Sequence, residues 1–248
     1  MIRVDESLED LQYGGLKIIQ KTSGYRFTTD AVLLANFVHG AKGKKIVEIG
    51  TGSGVSAILV TAKQQPESLV GIEIQPDVAE MARRSVEMNG LQDKITILTG
   101  DVKEVSCRLG EGFDMVVSNP PYRKVGSGQA QTKDTLCISR HEVALTLEEL
   151  FESAKRLLKF GGSLFVVHQS ERWAEACVLG AKFGLEAKEL QPICSRQGQP
   201  PNLFLARFVK GGKTGLKWLA PIVVFDADGN YSVTVKKLYG DSFCEDKK

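Results

Sequence analysis

Lys44-Lys45-Ile46-Val47-Glu48-Ile49-Gly50-Thr51-Gly52-Ser53-Gly54 is the stretch on which the reading of this chain turns. It begins as a run of apolar, β-branched residues, ends in three glycines at alternate positions, and is followed at once by Val55-Ser56-Ala57-Ile58-Leu59-Val60, which has helical spacing. In a strand, loop and helix met in that order, glycines let backbone approach a ligand and the helix N-terminus offers it free N–H groups. A nucleotide-like ligand is implied. The dinucleotide fingerprint G-x-G-x-x-G is not met, because counting from Gly50 the sixth residue is Val55.

Working outward, four more short apolar runs stand at 68–74, 94–100, 113–119 and 162–169. Their apolar character is continuous rather than alternating, as in strands buried on both faces of a parallel sheet. Between them, 53–64, 76–90 and 146–162 show helical spacing, the second with Pro76 at its start and the last two closing on Gly90 and Gly161. The resulting βαβαβ order predicts a doubly wound α/β sheet with right-handed crossovers. Residues 1–43 read as a turn-rich stretch and a helix over 28–38, whose Thr and Asp residues suit an N-cap. A final strand is expected in 202–212, then a strand, a turn and a short helix over 219–240. Asp226-Ala227-Asp228-Gly229-Asn230 reads as that turn, since an EF-hand loop needs glycine at its sixth position, where Tyr231 stands.

At 248 residues, 42% hydrophobic and 25% charged, the chain is an ordinary globular one, read as a single domain in which 1–43 borders the ligand site and 44–248 forms the main body. No apolar stretch reaches the ~18 residues of a membrane span, and the acidic N-terminus lacks the apolar region of a signal peptide, so a cytoplasmic location without membrane contact is expected. Five widely spaced cysteines without a CxxC fit neither a disulfide framework nor a zinc site, and no metal is expected. The oligomeric state is left open, with a monomer favoured. The net charge is only +2, but 181–240 holds nine basic residues against four acidic ones. Two readings stand for that excess: a phosphate-facing surface or an ordinary solvated face.

The run at 68–74 ends in Glu73-Ile74, placing a carboxylate beside the glycine loop, where it suits the two hydroxyls of a ribose. The next run ends in Thr99-Gly100-Asp101-Val102, and the fourth in Asn119-Pro120-Pro121-Tyr122. Two consecutive prolines fix two φ angles and leave neither residue an N–H, giving a rigid loop rich in carbonyl acceptors. Such a loop is suited to receiving a group that donates hydrogen bonds. Tyr122 suits stacking on a planar target.

Glu48 and Gly50, Gly52 and Gly54 resemble motif I of class I S-adenosylmethionine-dependent methyltransferases, and Asn119-Pro120-Pro121-Tyr122 resembles the NPPY motif of those that methylate adenine N6, guanine N2 or the glutamine amide. Together with Gly24-Tyr25-Arg26-Phe27-Thr28-Thr29-Asp30, Arg140-His141-Glu142 and Leu219-Ala220-Pro221, these motifs make nearly the whole chain similar to the bacterial tRNA(Val) adenine-37 N6-methyltransferases. That resemblance implies a Rossmann-like sheet of seven strands, six parallel and one antiparallel, with helices on both faces. It implies S-adenosylmethionine as cofactor and tRNA as substrate. The cofactor would lie against Phe27, Thr28 and Asp30, Glu48 and the three glycines, Glu73 and Ile74, Asp101 and Val102, and Asn119. Asp101 would receive the adenine amino group with an apolar neighbour over the ring, although N-capping of the next helix is an equal alternative for it. Asn119, Pro120 and Tyr122 would carry catalysis, and Pro121, Tyr122, Arg140 and His141 would face the substrate. The chain departs from the family at Cys194-Ser195-Arg196, where a His-Pro-Arg-like string is frequent.

The stretch 123–139 is a lid over RNA or a plain surface loop. His39 and His168 read as incidental, and Trp173 and Trp218 as packing. The alternatives are a release-factor glutamine methyltransferase, for which 43 residues before motif I leave little room for the usual helical domain, a ribosomal RNA guanine-N2 methyltransferase, and a non-catalytic nucleotide-binding module.

Overall fold

In a computed structural model describing residues 2–23, 28–122 and 145–240, the five apolar runs become adjacent strands of one sheet. They are β3 (Lys45–Ile49), β4 (Ser68–Glu73), β5 (Ile95–Thr99), β6 (Phe113–Ser118) and β7 (Leu158–Gln169), all parallel. The sheet continues through β9 (Leu203–Lys210), antiparallel to both neighbours, to β8 (Leu185–Arg196), which is therefore parallel to β7. Two short pieces, β10 (Lys217–Trp218) and β11 (Ile222–Phe225), add to the outer edge of β8. The order is β10-β8-β9-β7-β6-β3-β4-β5 with β11 beside β8, nine strands among the described residues. The seven-stranded core with one antiparallel strand is present. Its seventh member, however, is β8 rather than the 219–226 segment, which forms only edge strands.

The chain runs β3, β4, β5 toward one edge and then returns to place β6 on the other side of β3. That reversal makes the carboxyl ends of β3 and β6 the switch point where open α/β sheets hold ligands.

Continuous apolar strands bury alternate residues in two layers. Ile46, Met115, Val117, Phe165 and Val167 pack with α1 (Thr29–Phe37), α2 (Val55–Gln64) and α3 (Pro76–Met88). Val47, Val116, Leu164 and Val166 pack with α4 (Val102–Leu109), α5 (Leu147–Leu157) and α6 (Trp173–Phe183). The period of two along a strand produces this sorting, and it places Glu48 on the same face as Ile46, toward α1 and α2. Helix α5 starts at a capping box, Thr146 Oγ1 accepting from the Glu149 amide while Glu149 Oε2 accepts from the Thr146 amide. It stops at Leu157, earlier than expected, and Gly161 lies inside β7, where the pairing with β6 shifts register between Phe113 and Met115.

Residues 6–21 form an antiparallel hairpin, β1 (Glu6–Asp10) and β2 (Lys17–Lys21), where sequence suggested only turns. It is fastened to α3 by polar contacts: the Ile19 amide donates to Ser85 Oγ, the Lys17 amide to Asn89 Oδ1, and Arg84 pairs with buried Glu6 at 2.6 Å. At the other end of the chain, α7 (Val233–Tyr239) returns onto α1 through the turn at Asp226, whose Oδ1 accepts from the amides of Asp228 and Asn230. Among the described residues, no helix is long and apolar enough to cross a membrane, and no His, Cys, Asp and Glu cluster could hold a metal ion.

Candidate active site

The glycine loop is built as a bracket. The amides of Gly50 and Thr51 both donate to the Ile72 carbonyl, and the Gly54 amide turns back to the Thr51 carbonyl. Gly50, Gly52 and Gly54 have φ of 72°, 56° and 95°, the left-handed region that other residues enter at a cost. At Gly50 and Gly52 an added Cβ would meet nothing within 4 Å, so the loop presents open backbone to a ligand.

Two buried carboxylates stand on either side of it. Glu48 accepts from Thr51 Oγ1 at 2.5 Å, and burial pushes its carboxyl up to about 7. Glu73, at the end of β4, accepts from the Gly52 amide through Oε2 at 3.0 Å and from the Gln75 amide through Oε1 at 2.9 Å. Burial raises its carboxyl too. A carboxylate offers about four lone-pair positions, and with backbone amides of Gly52, Ile74 and Gln75 on it Glu73 still has acceptor capacity for a hydroxyl ligand. Ile74 beside it is an exposed apolar side chain. At the end of β5, Asp101 N-caps α4 through the Lys103 amide at 2.8 Å, and Val102 is largely buried in the core, 8% exposed. Open backbone, carboxylates with spare acceptor positions and an exposed apolar wall fit an adenosyl ligand.

Ser118, the last residue of β6, donates its hydroxyl to the Ile49 carbonyl at 2.9 Å, tying that strand end to the root of the glycine loop. Asn119 is therefore delivered next to the ligand cradle. Pro120 is buried, Pro121 exposed and Tyr122 half-buried. The Tyr122 hydroxyl donates to Asp30 Oδ2 at 2.9 Å and lies 3.0 Å from Asn119 Oδ1. Asp30 sits in the first turn of α1, after Thr28, which occupies the N-cap position without a side-chain capping bond. Beside Tyr122 lies the buried ring of His168, centroids 5.4 Å apart. Its Nδ1 accepts from the Gln169 amide, which leaves the ring proton on Nε2. Burial, with Arg172 nearby, lowers its pKa to about 4, so the ring is neutral at physiological pH.

Sequence reasoning passed over Thr51 and Ser118 and read His168 as incidental. Thr51 sits inside the glycine motif and Ser118 directly before Asn119, and a small polar residue at those places was the available signal. His168 carried none. Phe27, Arg140, His141 and the 123–139 stretch lie outside the described residues.

The basic excess of 181–240 is not one surface. Lys210 donates to the carbonyls of Lys155 and Leu158, Arg207 to Glu189 and Ser163, and Lys188 to the Lys213 carbonyl. Lys210 and Lys217 pair opposite Leu185 and Glu189, toward the amino end of β8 and away from the switch point, whereas Arg196 ends β8 on the crevice side.

Residues 26–189 match the model of the methyltransferase small domain. Among curated proteins, the chain is 29% identical over 198 residues to the tRNA1(Val) (adenine(37)-N6)-methyltransferase of Porphyromonas gingivalis, covering 77% of each. It is 27% identical to the Yersinia pestis protein of the same name, covering 87% of this chain and 86% of that one. Among solved structures, a predicted O-methyltransferase of Agrobacterium tumefaciens superposes with a TM-score of 0.68 at 24% identity, over 85% of this chain and 95% of its own. Methanocaldococcus jannaschii Trm5 in complex with adenosine gives 0.61 at 15% identity, over 84% and 57%.

Proposed function

The chain belongs to the methyltransferase small-domain family, and on that premise we propose that it methylates the exocyclic N6 of adenine 37 in a valine tRNA. The observation that carries this reading is Asn119-Pro120-Pro121-Tyr122 at the end of β6, tied by Ser118 to the base of the glycine loop. S-adenosylmethionine, the methyl donor of the class, supplies an electrophilic methyl when bound. The residues that would hold it are the open glycines, Glu73 for the ribose hydroxyls and Ile74 against the adenine.

Asn119 Oδ1 and the Pro120 carbonyl then accept the two N–H groups of the target amine. This aims the nitrogen and offsets the charge it gains as the methyl arrives. Fixed acceptors cost no reorganisation at that moment, which is why a diproline loop suits the task better than a mobile one. Tyr122 supplies a face on which the planar base stacks, an interaction worth roughly 1–3 kcal/mol. The nitrogen would gain the methyl as the donor's S–C bond breaks, and the extra amine proton would pass to solvent water.

The choice of adenine 37 rests on the name of the relatives. The test is nucleoside mass spectrometry of valine tRNA incubated with the protein and methyl-labelled S-adenosylmethionine, with N6-methyladenosine at that position as the expected product. Label in N2-methylguanosine, or in a release-factor glutamine with none in tRNA, overturns the reading.

A further inference from the structure

Tyr122 holds a single hydroxyl proton between two acceptor oxygens, Asp30 Oδ2 at 2.9 Å and Asn119 Oδ1 at 3.0 Å. One O–H makes one full bond at a time, so the two oxygens compete for it. Asn119 Oδ1 is also the atom that receives the substrate amine in the reaction proposed above, on which this inference rests. The Tyr122 hydroxyl thus occupies one of the two lone-pair positions of the oxygen that an N–H of the incoming base has to reach.

Asp30 is held in place from behind. Its neighbour Thr29 has Oγ1 2.7 Å from the Tyr231 hydroxyl, and the Tyr231 ring stacks with Phe225 at 5.5 Å and with Tyr239 at 5.8 Å. The Tyr122 ring is supported by His168. Both partners of the Tyr122–Asp30 contact are thereby fixed by packing outside the site.

We propose that Asp30 is a positioning residue for methyl transfer: it is the alternate acceptor that takes the Tyr122 hydroxyl off Asn119 when an exocyclic amine arrives. The hydroxyl exchanges one acceptor for another and loses no hydrogen bond. The ring stays in position to stack on the base, and both lone pairs of Asn119 Oδ1 become available to the amine. Without Asp30, an entering amine has to share Asn119 Oδ1 with the Tyr122 hydroxyl or displace it.

This arrangement has a signature that a merely structural Asp30 lacks. Asp30→Ala should lower kcat/KM for tRNA about tenfold, the scale of a lost hydrogen bond to a charged group. Adding Tyr122→Phe to Asp30→Ala removes the competing hydroxyl and should return kcat/KM to that of Tyr122→Phe alone, a strongly non-additive cycle. Additive losses overturn the proposal. A third measurement does not depend on the substrate. With 13Cζ-labelled tyrosine, the Tyr122 resonance, assigned by its absence in Tyr122→Phe, should shift in Asp30→Ala. If it stays put, Asp30 does not hold that hydroxyl, whatever is methylated. If instead it shifts and the wild-type protein leaves tRNA untouched, the tRNA reading fails and the Asp30–Tyr122 arrangement stands.

Discussion

The Gly52 amide donates to Glu73 Oε2 across 3.0 Å, so the carboxylate at the end of β4 ties down the glycine loop, and in the proposed reading it would also face the ligand. A residue with two such duties can be dissected by substitution. Glu73→Ala loses both the ligand contacts and the tie to the loop, and should weaken S-adenosylmethionine and S-adenosylhomocysteine alike by on the order of 1.5–3 kcal/mol. Glu73→Gln keeps one acceptor oxygen and should lose less. Calorimetry decides, and equal affinity for the wild type and Glu73→Ala would remove Glu73 from the cofactor site.

Placement of the lysines along the sheet leads to a second expectation. Lys213 and Lys217 lie toward the amino end of β8, whereas Arg196 closes that strand on the crevice side. Lys213→Ala/Lys217→Ala should therefore leave the slope of log K against log salt for tRNA unchanged. Arg196→Ala should make it shallower by roughly one unit, as for one lost phosphate contact. A flattened slope in the lysine variant would restore the C-terminal third as a phosphate-binding face.

What sequence revealed of this fold follows from where burial is two-sided. Strands β3 to β7 are covered on both faces, so their residues are continuously apolar and can be read directly. Strand β8 is also part of the sheet, yet Leu185–Arg196 carries Lys188, Glu189 and Pro192 and is half-buried along much of its length, so periodicity could not announce it. The N-terminal hairpin was illegible for a related reason. It is fastened by Arg84, Ser85 and Asn89 of α3, contacts more than 60 residues distant in sequence that no local pattern encodes. Within the candidate site, the glycines at 50, 52 and 54 were legible as a turn because left-handed backbone dictates them. The Asp30–Tyr122 contact spans 92 residues and emerges only when α1 and β6 are brought together.

Glu48 makes stability depend on pH in a direction that can be stated. Burial raises its pKa from an ordinary 4.5 to about 7 in the folded chain. A carboxyl raised on folding contributes stability that is complete below the unfolded value and is lost as pH rises through the folded one. Between pH 4.5 and 7 the wild type should thus lose up to ~3 kcal/mol relative to Glu48→Gln, which has no proton to release. His168, depressed to about 4, acts in the opposite sense, but both proteins carry it and its effect cancels. Urea unfolding of the two without cofactor at pH 5 and pH 8 measures the difference. A gap independent of pH would mean that Glu48 does not titrate on burial.

The most direct expectation concerns Asn119. If its amide oxygen receives the target N–H chiefly as charge develops, Asn119→Ala should lower the single-turnover rate by ~10²-fold or more and leave cofactor affinity nearly unchanged. The variant is a clean probe because the Tyr122 hydroxyl keeps Asp30 as an acceptor, so the ring should remain in place. Ser118 still anchors the strand end to Ile49, so the loop should too. Base stacking is then preserved, and the loss should fall on kcat rather than on KM. Tyr122→Ala should show the converse weighting, because a base already stacked in the ground state loses affinity as well as rate. Single-turnover conditions with saturating cofactor and tRNA are needed, since slow product release would mask a chemical defect. An Asn119→Ala protein that transfers methyl at the wild-type single-turnover rate would reduce the diproline loop to a rigid strand ending and leave the amine without its acceptor.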